Sequence, residues 1–140
     1  IHPDHVGAAH YVRSQQPGPR DIVLAEDVLV QYYYLDRVDY WLLARASAAD
    51  FVERVGGEVR DIYTHSRIMG SGEELQAQIA NPDRGTIYIV GSGENQEDGR
   101  RHMRGEGIHR LLTEGGLPVA HVGRDGLTRV WKIPPPVREQ

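Results

Sequence analysis

Hydrophobic positions along this chain follow two rhythms. After Asp4, Val6, Ala9 and Val12 recur at helical spacing, and "QQPGPRD" interrupts them with two prolines and a glycine. A carboxylate at Asp4 can accept the free N–H groups of a first turn, so the pattern predicts a helix to about Gln16. "DIVLAED" reads as a short buried strand ending in two acids. A second helix is expected from about Asp27 into the tyrosines, followed by "VDYWLL" as the next strand. "SAADFVERVGG" has helical character and a glycine stop, whereas "EVRDIYTHSRIM" reads as extended, with Val59, Ile62, Thr64 and Ile68 as burial candidates. "SGEELQAQIANPD" predicts a helix that Ser71 caps, with Glu74 completing a capping box and Asn81-Pro82 ending it. "GTIYIVGSG" is a β-branched run between glycines, hence a strand. Arg100 to Glu114 reads as a helix weakened by Gly105 and Gly107. "PVAHVGRDGLTRVWKI" reads as a hairpin turning at Asp125-Gly126, with Val119, His121, Val130, Trp131 and Ile133 in its strands.

The resulting order is α-β-α-β-α-β-α-β-α-β-β. Alternating strands and helices predict an α/β fold, an open, mostly parallel Rossmann-like sheet with helices on both faces. The C-terminal β-hairpin would lie at one edge, and Pro134 to Pro136 would stop the sheet. Residues 1–140 contain no internal boundary or repeat, so a single domain is expected.

Composition narrows the picture. With 39% hydrophobic and 26% charged residues, the chain has enough apolar surface to offset chain entropy, which argues against disorder. Net charge is −4 and no basic run exceeds Arg100-Arg101, so no nucleic-acid partner is expected. Lys132 is the sole lysine, which points to base composition and not to chemistry. Cysteine is absent, which excludes thiol catalysis, disulfides and thiolate metal sites. No run approaches the ~20 apolar residues of a membrane span. The chain starts at Ile1 instead of Met, which suggests a piece of a longer protein.

Candidate chemistry is sparse. "GSGENQ", Gly91 to Gln96, follows a strand, where an α/β sheet places phosphates. Ser92 and Glu94 are its candidate ligand contacts, although Gln96 replaces the third glycine of a dinucleotide fingerprint and Glu94 would repel a phosphate. Glu26 and Asp27, at the end of the first strand, could contact sugar hydroxyls or a metal; alternatively Asp27 caps the next helix. Seven histidines raise the question of metal. His102 and His109 are two helical turns, about 10 Å, apart, too far to share an ion bound at ~2 Å from each ligand. No nucleophile elbow is present. Catalytic residues, metal ligands and cofactors are therefore all set at none.

"VQYYYLDRVDYWLL", Val30 to Leu43, holds four tyrosines and a tryptophan. Three consecutive tyrosines on a helix point about 100° apart, so one should face the core and one the solvent. Tyr40 and Trp41 in a strand point to opposite faces. That geometry favours helix-to-sheet packing over a flat sugar platform, with a sugar contact left open for one or two, Tyr34 among them.

"AAHYVRSQQPGPRDIVLAEDVLVQYYYLDRVDYWLL", "DIYTHSRIMGSGEELQAQI" and "GTIYIVGSG" together resemble the soluble C-terminal part of bacterial polytopic membrane glycosyltransferases. These are the relatives of the dolichyl-phosphate-mannose protein mannosyltransferases and aminoarabinose transferases. The family pattern maps to Ala9–Val12, Asp21–Leu24, Tyr33–Leu42 and Tyr63–Ile68, and the resemblance spans roughly Ala8 to Ile133. Asp36 stands where the pattern has glycine before Arg37. His65 and Arg67 replace a later glycine and proline. The resemblance implies an extracytoplasmic domain at the cell membrane, partnered by the membrane-embedded part of its own parent chain. It also implies a non-catalytic role, assisting acceptor positioning or covering the active site. Glu26, Asp27, Tyr34, Arg37, Ser92 and Glu94 are the residues that could meet a sugar or a lipid-linked sugar acceptor. The alternative is a free-standing nucleotide- or small-metabolite-binding α/β domain.

Overall fold

The computed structural model of the chain describes residues 3–43, 52–61, 64–93 and 104–137. Asp4 begins α1 (His5–Ser14) by accepting from Gly7 N, and Ala8, Ala9 and Val12 form its buried face. The apolar run Ile22–Ala25 is β1. Asp27 then caps α2 (Val28–Leu35), accepting from Val30 N at 3.2 Å. Strand β2 (Tyr40–Leu42) follows. Ser71 caps α3 (Gly72–Ala80): Glu74 N donates to Ser71 Oγ, and Ser71 Oγ donates to the Glu74 carboxylate. The run Ile87–Ser92 becomes a strand, and Val119–Val122 and Thr128–Ile133 form the expected C-terminal hairpin.

Three stretches differ from their sequence reading. The described part of "SAADFVERVGG" is not helical: Val52–Val55 is β3, an antiparallel partner of β4 (Glu58–Asp61). Gly56 and Gly57 both have positive φ, 58° and 83°, which is the requirement of a two-residue hairpin turn and not of a helix stop. The extended stretch after it divides at Thr64–His65 into β4 and β5 (Arg67–Met69). Of its burial candidates, Thr64 and Ile68 are buried. Ile62 lies outside the described residues. Of the helix expected over Arg100–Glu114, residues 100–103 lie outside the described residues. Among the described residues it is α4 (Glu106–Glu114), because Gly105 stands before it at φ 84° and cannot continue a helix backward.

The strands form one sheet in the order β3-β4-β5-β2-β1-β6-β8-β7, with Ile87–Ser92 as β6 and the last hairpin as β7 and β8. Pairs β5-β2, β2-β1 and β1-β6 are parallel; all others are antiparallel. The sheet is therefore parallel at its centre, with an antiparallel hairpin on both edges, where the sequence predicts one on a single edge. By appearance in the chain, the four parallel strands stand third, second, first, fourth. The order reverses between β1 and β6.

Side-chain alternation separates two cores. Ile22, Leu24, Ile87, Ile89, Trp131 and Ile133 point to the face covered by α3 and α4, where Leu75, Ile108 and Leu112 pack. Val23, Ala25, Tyr88, Val90 and Val130 point to the other face, against Ala8 and Val12 of α1 and Val28 of α2. Each fully buried Leu, Ile or Val contributes about 1.5–3 kcal/mol relative to exposure, so register is fixed from both sides. Among the described residues no helix is long and apolar enough to cross a membrane.

Candidate functional site

Strands β1 and β6 run parallel and end together, so Glu26 and Ser92 meet at the carboxyl edge of the sheet where the order reverses. In open α/β sheets this crevice is the usual ligand position. Glu26 continues the alternation of Ile22 and Leu24 and turns its carboxylate toward the α3/α4 face. It fits there because residue 91 is glycine: a Cβ at Gly91 would lie 2.6 Å from Glu26 Oε1. Ser92 N donates to Glu26 Oε2 at 3.3 Å, and the indole Nε1 of Trp41 donates to the Glu26 carbonyl at 3.1 Å.

Arg104 closes this arrangement. Its side chain is 5% exposed, and Nη1 donates both to Glu26 Oε1 and, at 2.7 Å, to Ser92 O. Its Nε and Nη2 reach His109 Nδ1 at 3.2 and 2.7 Å. A guanidinium can only donate, so Nδ1 of His109 must accept, and the proton of the neutral ring stands on Nε2. Burial pushes the Glu26 carboxyl above its ordinary value, against the opposing pull of the Arg104 guanidinium and the Ser92 N–H.

The other acid of the pair has a different duty. Asp27 caps α2 and lies 3.5 Å from His5 Nε2. Gln31, fully buried one turn further along α2, donates to the His5 carbonyl at 2.9 Å and ties the start of α1 to α2. Gln31 Oε1 and His5 Nδ1 are buried without a hydrogen-bond partner.

The remaining sequence candidates are dispersed. Arg37 sits at the opposite edge of the sheet from Glu26, separated by the length of β1, ~13 Å. There its Nε and Nη2 hold Asp39, and its Nη1 donates to Gly18 O at 2.7 Å and Nη2 to Asp21 O. Asp39 in turn accepts from Val23 N at 2.8 Å, so Arg37 secures the start of the β1–β2 pair. Tyr34 lies edge-on to His10, with ring centroids 5.6 Å apart, and to Tyr33. Tyr32 packs on the core while Tyr33 is 80% exposed, as three successive helical positions require. Tyr40 accepts from Gln78 Nε2 at 3.0 Å. The aromatic segment thus serves packing and does not form one flat platform. Glu94 and His102 lie outside the described residues.

The structure brings together Glu26, Asp27 and Ser92, and adds Arg104, His109 and Arg129, which sequence reasoning did not select. Arg129 pairs with Gly91 across β6–β8 and points to the same face as Trp131 and Ile133, hence to the face of Glu26. Period-2 alternation in β8 held that signal for Arg129. Nothing local marked Arg104, whose partners Glu26 and Ser92 are 78 and 12 residues away and whose third, His109, is five away on α4. Among the described residues no group of three or more His, Cys, Asp or Glu could hold a metal ion. Chemically, Glu26 is already satisfied by donors and Asp27 by a helix start, so the cluster is built to hold charge in place. Comparison with protein-family models, curated proteins and solved structures gives no significant match to this chain.

Proposed function

We propose that this chain is a non-catalytic, Rossmann-like extracytoplasmic domain of a membrane-embedded glycosyltransferase that draws on a lipid-linked sugar. Its role is to position the acceptor or cover the active site in the membrane part. One observation carries this reading. The two places where the family pattern has glycine are occupied by Asp36 and His65, and both stand at positive φ, 56° and 58°. Only Gln16 shares that conformation among the other described non-glycine residues. A left-handed position costs an L side chain roughly 1–2 kcal/mol and favours glycine, so a glycine would suit both positions, which supports the resemblance.

Two further features support the reading. The parallel strand order third-second-first-fourth, with α2 on one face and α3 on the other, supports the Rossmann-like part of the reading. Both acids ending β1 are engaged in structure, Glu26 with Arg104 and Asp27 with the α2 N-terminus, which fits a domain without chemistry of its own.

The test compares sugar transfer from a polyprenyl-phosphate donor in three preparations: the complete reading frame in membranes, the same protein with residues 1–140 deleted, and this chain alone. Transfer by the complete protein, reduced on deletion and absent from the chain alone, is the expected result. A complete reading frame that contains no membrane spans would sink the proposal.

A further inference from the structure

Among the described residues, Arg129 stands at the carboxyl edge without a counter-charge. Its side chain lies across Gly93: a Cβ there would come within 2.4 Å of Nε and 2.7 Å of Cζ. Its Nε is buried without a hydrogen-bond partner. Among the described residues no carboxylate lies within ion-pair distance of it. Glu26, which shares its face, is held over Gly91, two positions and ~7 Å back along β6, and is taken by Arg104. A partly buried guanidinium with five donors and no anion is unusual, because such groups are normally paired.

The surroundings favour negative charge. Among the described residues, Arg104 and Arg129 share this face with Glu26, while Asp27 is engaged with His5 and the start of α2. The start of α4 follows directly after Arg104 with Gly105, which offers no capping side chain, before it, so the positive end of the helix lies on this side. Glu106 in that first turn is exposed and faces Arg110 at 4.0 Å. The two glycines leave room for these side chains to lie flat on the backbone, Glu26 over Gly91 and Arg129 over Gly93.

We infer that Arg129, with Arg104 behind it over Gly91 and Gly93, forms an anion site for a phosphate group, on a free metabolite or a lipid headgroup. The planar fork of Arg129 makes two parallel bonds to the phosphate oxygens, and Arg104 keeps Glu26 from repelling it. The site is independent of the family reading and needs no membrane part.

Inorganic phosphate and pyrophosphate, titrated into the chain against chloride at matched ionic strength, test the free source. Flotation with phosphatidylcholine vesicles, with and without phosphatidic acid, tests the lipid source. A ligand at ten times its dissociation constant should raise the unfolding midpoint by roughly 5 °C. Arg129→Gln should abolish the response, Arg129→Lys should weaken it, and Gly93→Ala should reduce it by displacing the guanidinium while keeping its charge. Phosphorus-31 line broadening with the unaltered chain gives a readout that does not depend on the stability of any variant. A response to vesicles alone that Arg129→Gln removes assigns the headgroup. Absence of both responses in the unaltered chain, or responses that Arg129→Gln leaves intact, overturns the inference.

Discussion

Asp36 ends α2 in the left-handed conformation, φ 56° and ψ 21°, with its N–H on Tyr32 O at 2.8 Å. That is the C′ position of a helix, where glycine is preferred because it has no Cβ to clash with the carbonyl. The Asp36 side chain is exposed, so its replacement by glycine removes strain at little contact cost. Asp36→Gly should raise stability by about 0.5–1 kcal/mol, read as a higher urea midpoint with unchanged slope. A lower midpoint would mean that the carboxylate contributes more than the strain costs. At this scale the sequence was informative about kind and silent about direction. Asp4, Asp27 and Ser71 were legible as caps because each precedes a periodic apolar run. The orientation of Arg37 and Arg104 was not, since Arg37 holds the Gly18 and Asp21 carbonyls and Arg104 the Glu26 carboxylate and the Ser92 carbonyl, which only the folded chain brings near.

Helices α3 and α4 meet through their first turns at Gly72 and Gly107. A Cβ on Gly107 would lie 3.0 Å from Gly72 N, and one on Gly72 would lie 3.2–3.3 Å from the Gly107 backbone. The neighbours here are main chain, which cannot rotate away. Gly107→Ala must therefore push the helices apart and loosen Leu75, Ile108 and Leu112, which pack beneath them. The expected loss is about 1–3 kcal/mol despite the better helix propensity of alanine, measured by denaturant unfolding. A neutral or stabilising result would show that the close approach is not tight. From the sequence, Gly107 looked like a weakness in a helix; its use as a contact point needs the partner glycine, 35 positions earlier. The hairpin β3–β4 was misread for a related reason. "VERVGGEVRD" fits both a helix with a stop and two strands about a Gly-Gly turn, and the two glycines at positive φ decide for the turn. Longer runs with one period, such as Ile87–Ser92, left no such ambiguity.

Over the whole molecule, the chain is closed on itself where the start of α1 meets the β7–β8 turn. Asp4 N donates to Asp125 Oδ2 and to Thr128 Oγ1, both at 3.1 Å, and Arg124 N donates to Asp4 Oδ2 at 2.9 Å. Asp125 also accepts from Leu127 N, Thr128 N and Thr128 Oγ1. Burial alone would raise the Asp125 carboxyl, but these four donors prevail and bring it down to about 2 from its ordinary 3.8. Asp4 is lowered as well, by the N–H groups of Arg124 and Gly7. A carboxyl depressed in the folded state binds its proton more weakly there than in the unfolded chain. Its stabilisation is therefore complete above the ordinary value and is lost as pH falls from 3.8 towards about 2. For Asp125 this amounts to at most ~2 kcal/mol. Asp125→Asn should lower stability at neutral pH and flatten the decline between pH 3.8 and about 2, because the titrating group is gone. Urea midpoints of both proteins across that window give the comparison. Parallel curves would mean that the acid response arises elsewhere and that the contact between the two ends of the fold does not depend on this charge. The Asp125-Gly126 turn was legible from sequence alone, as was the cap at Asp4. Their joining, across 121 positions, follows only once β8 is laid beside β6 and α1 is packed over both.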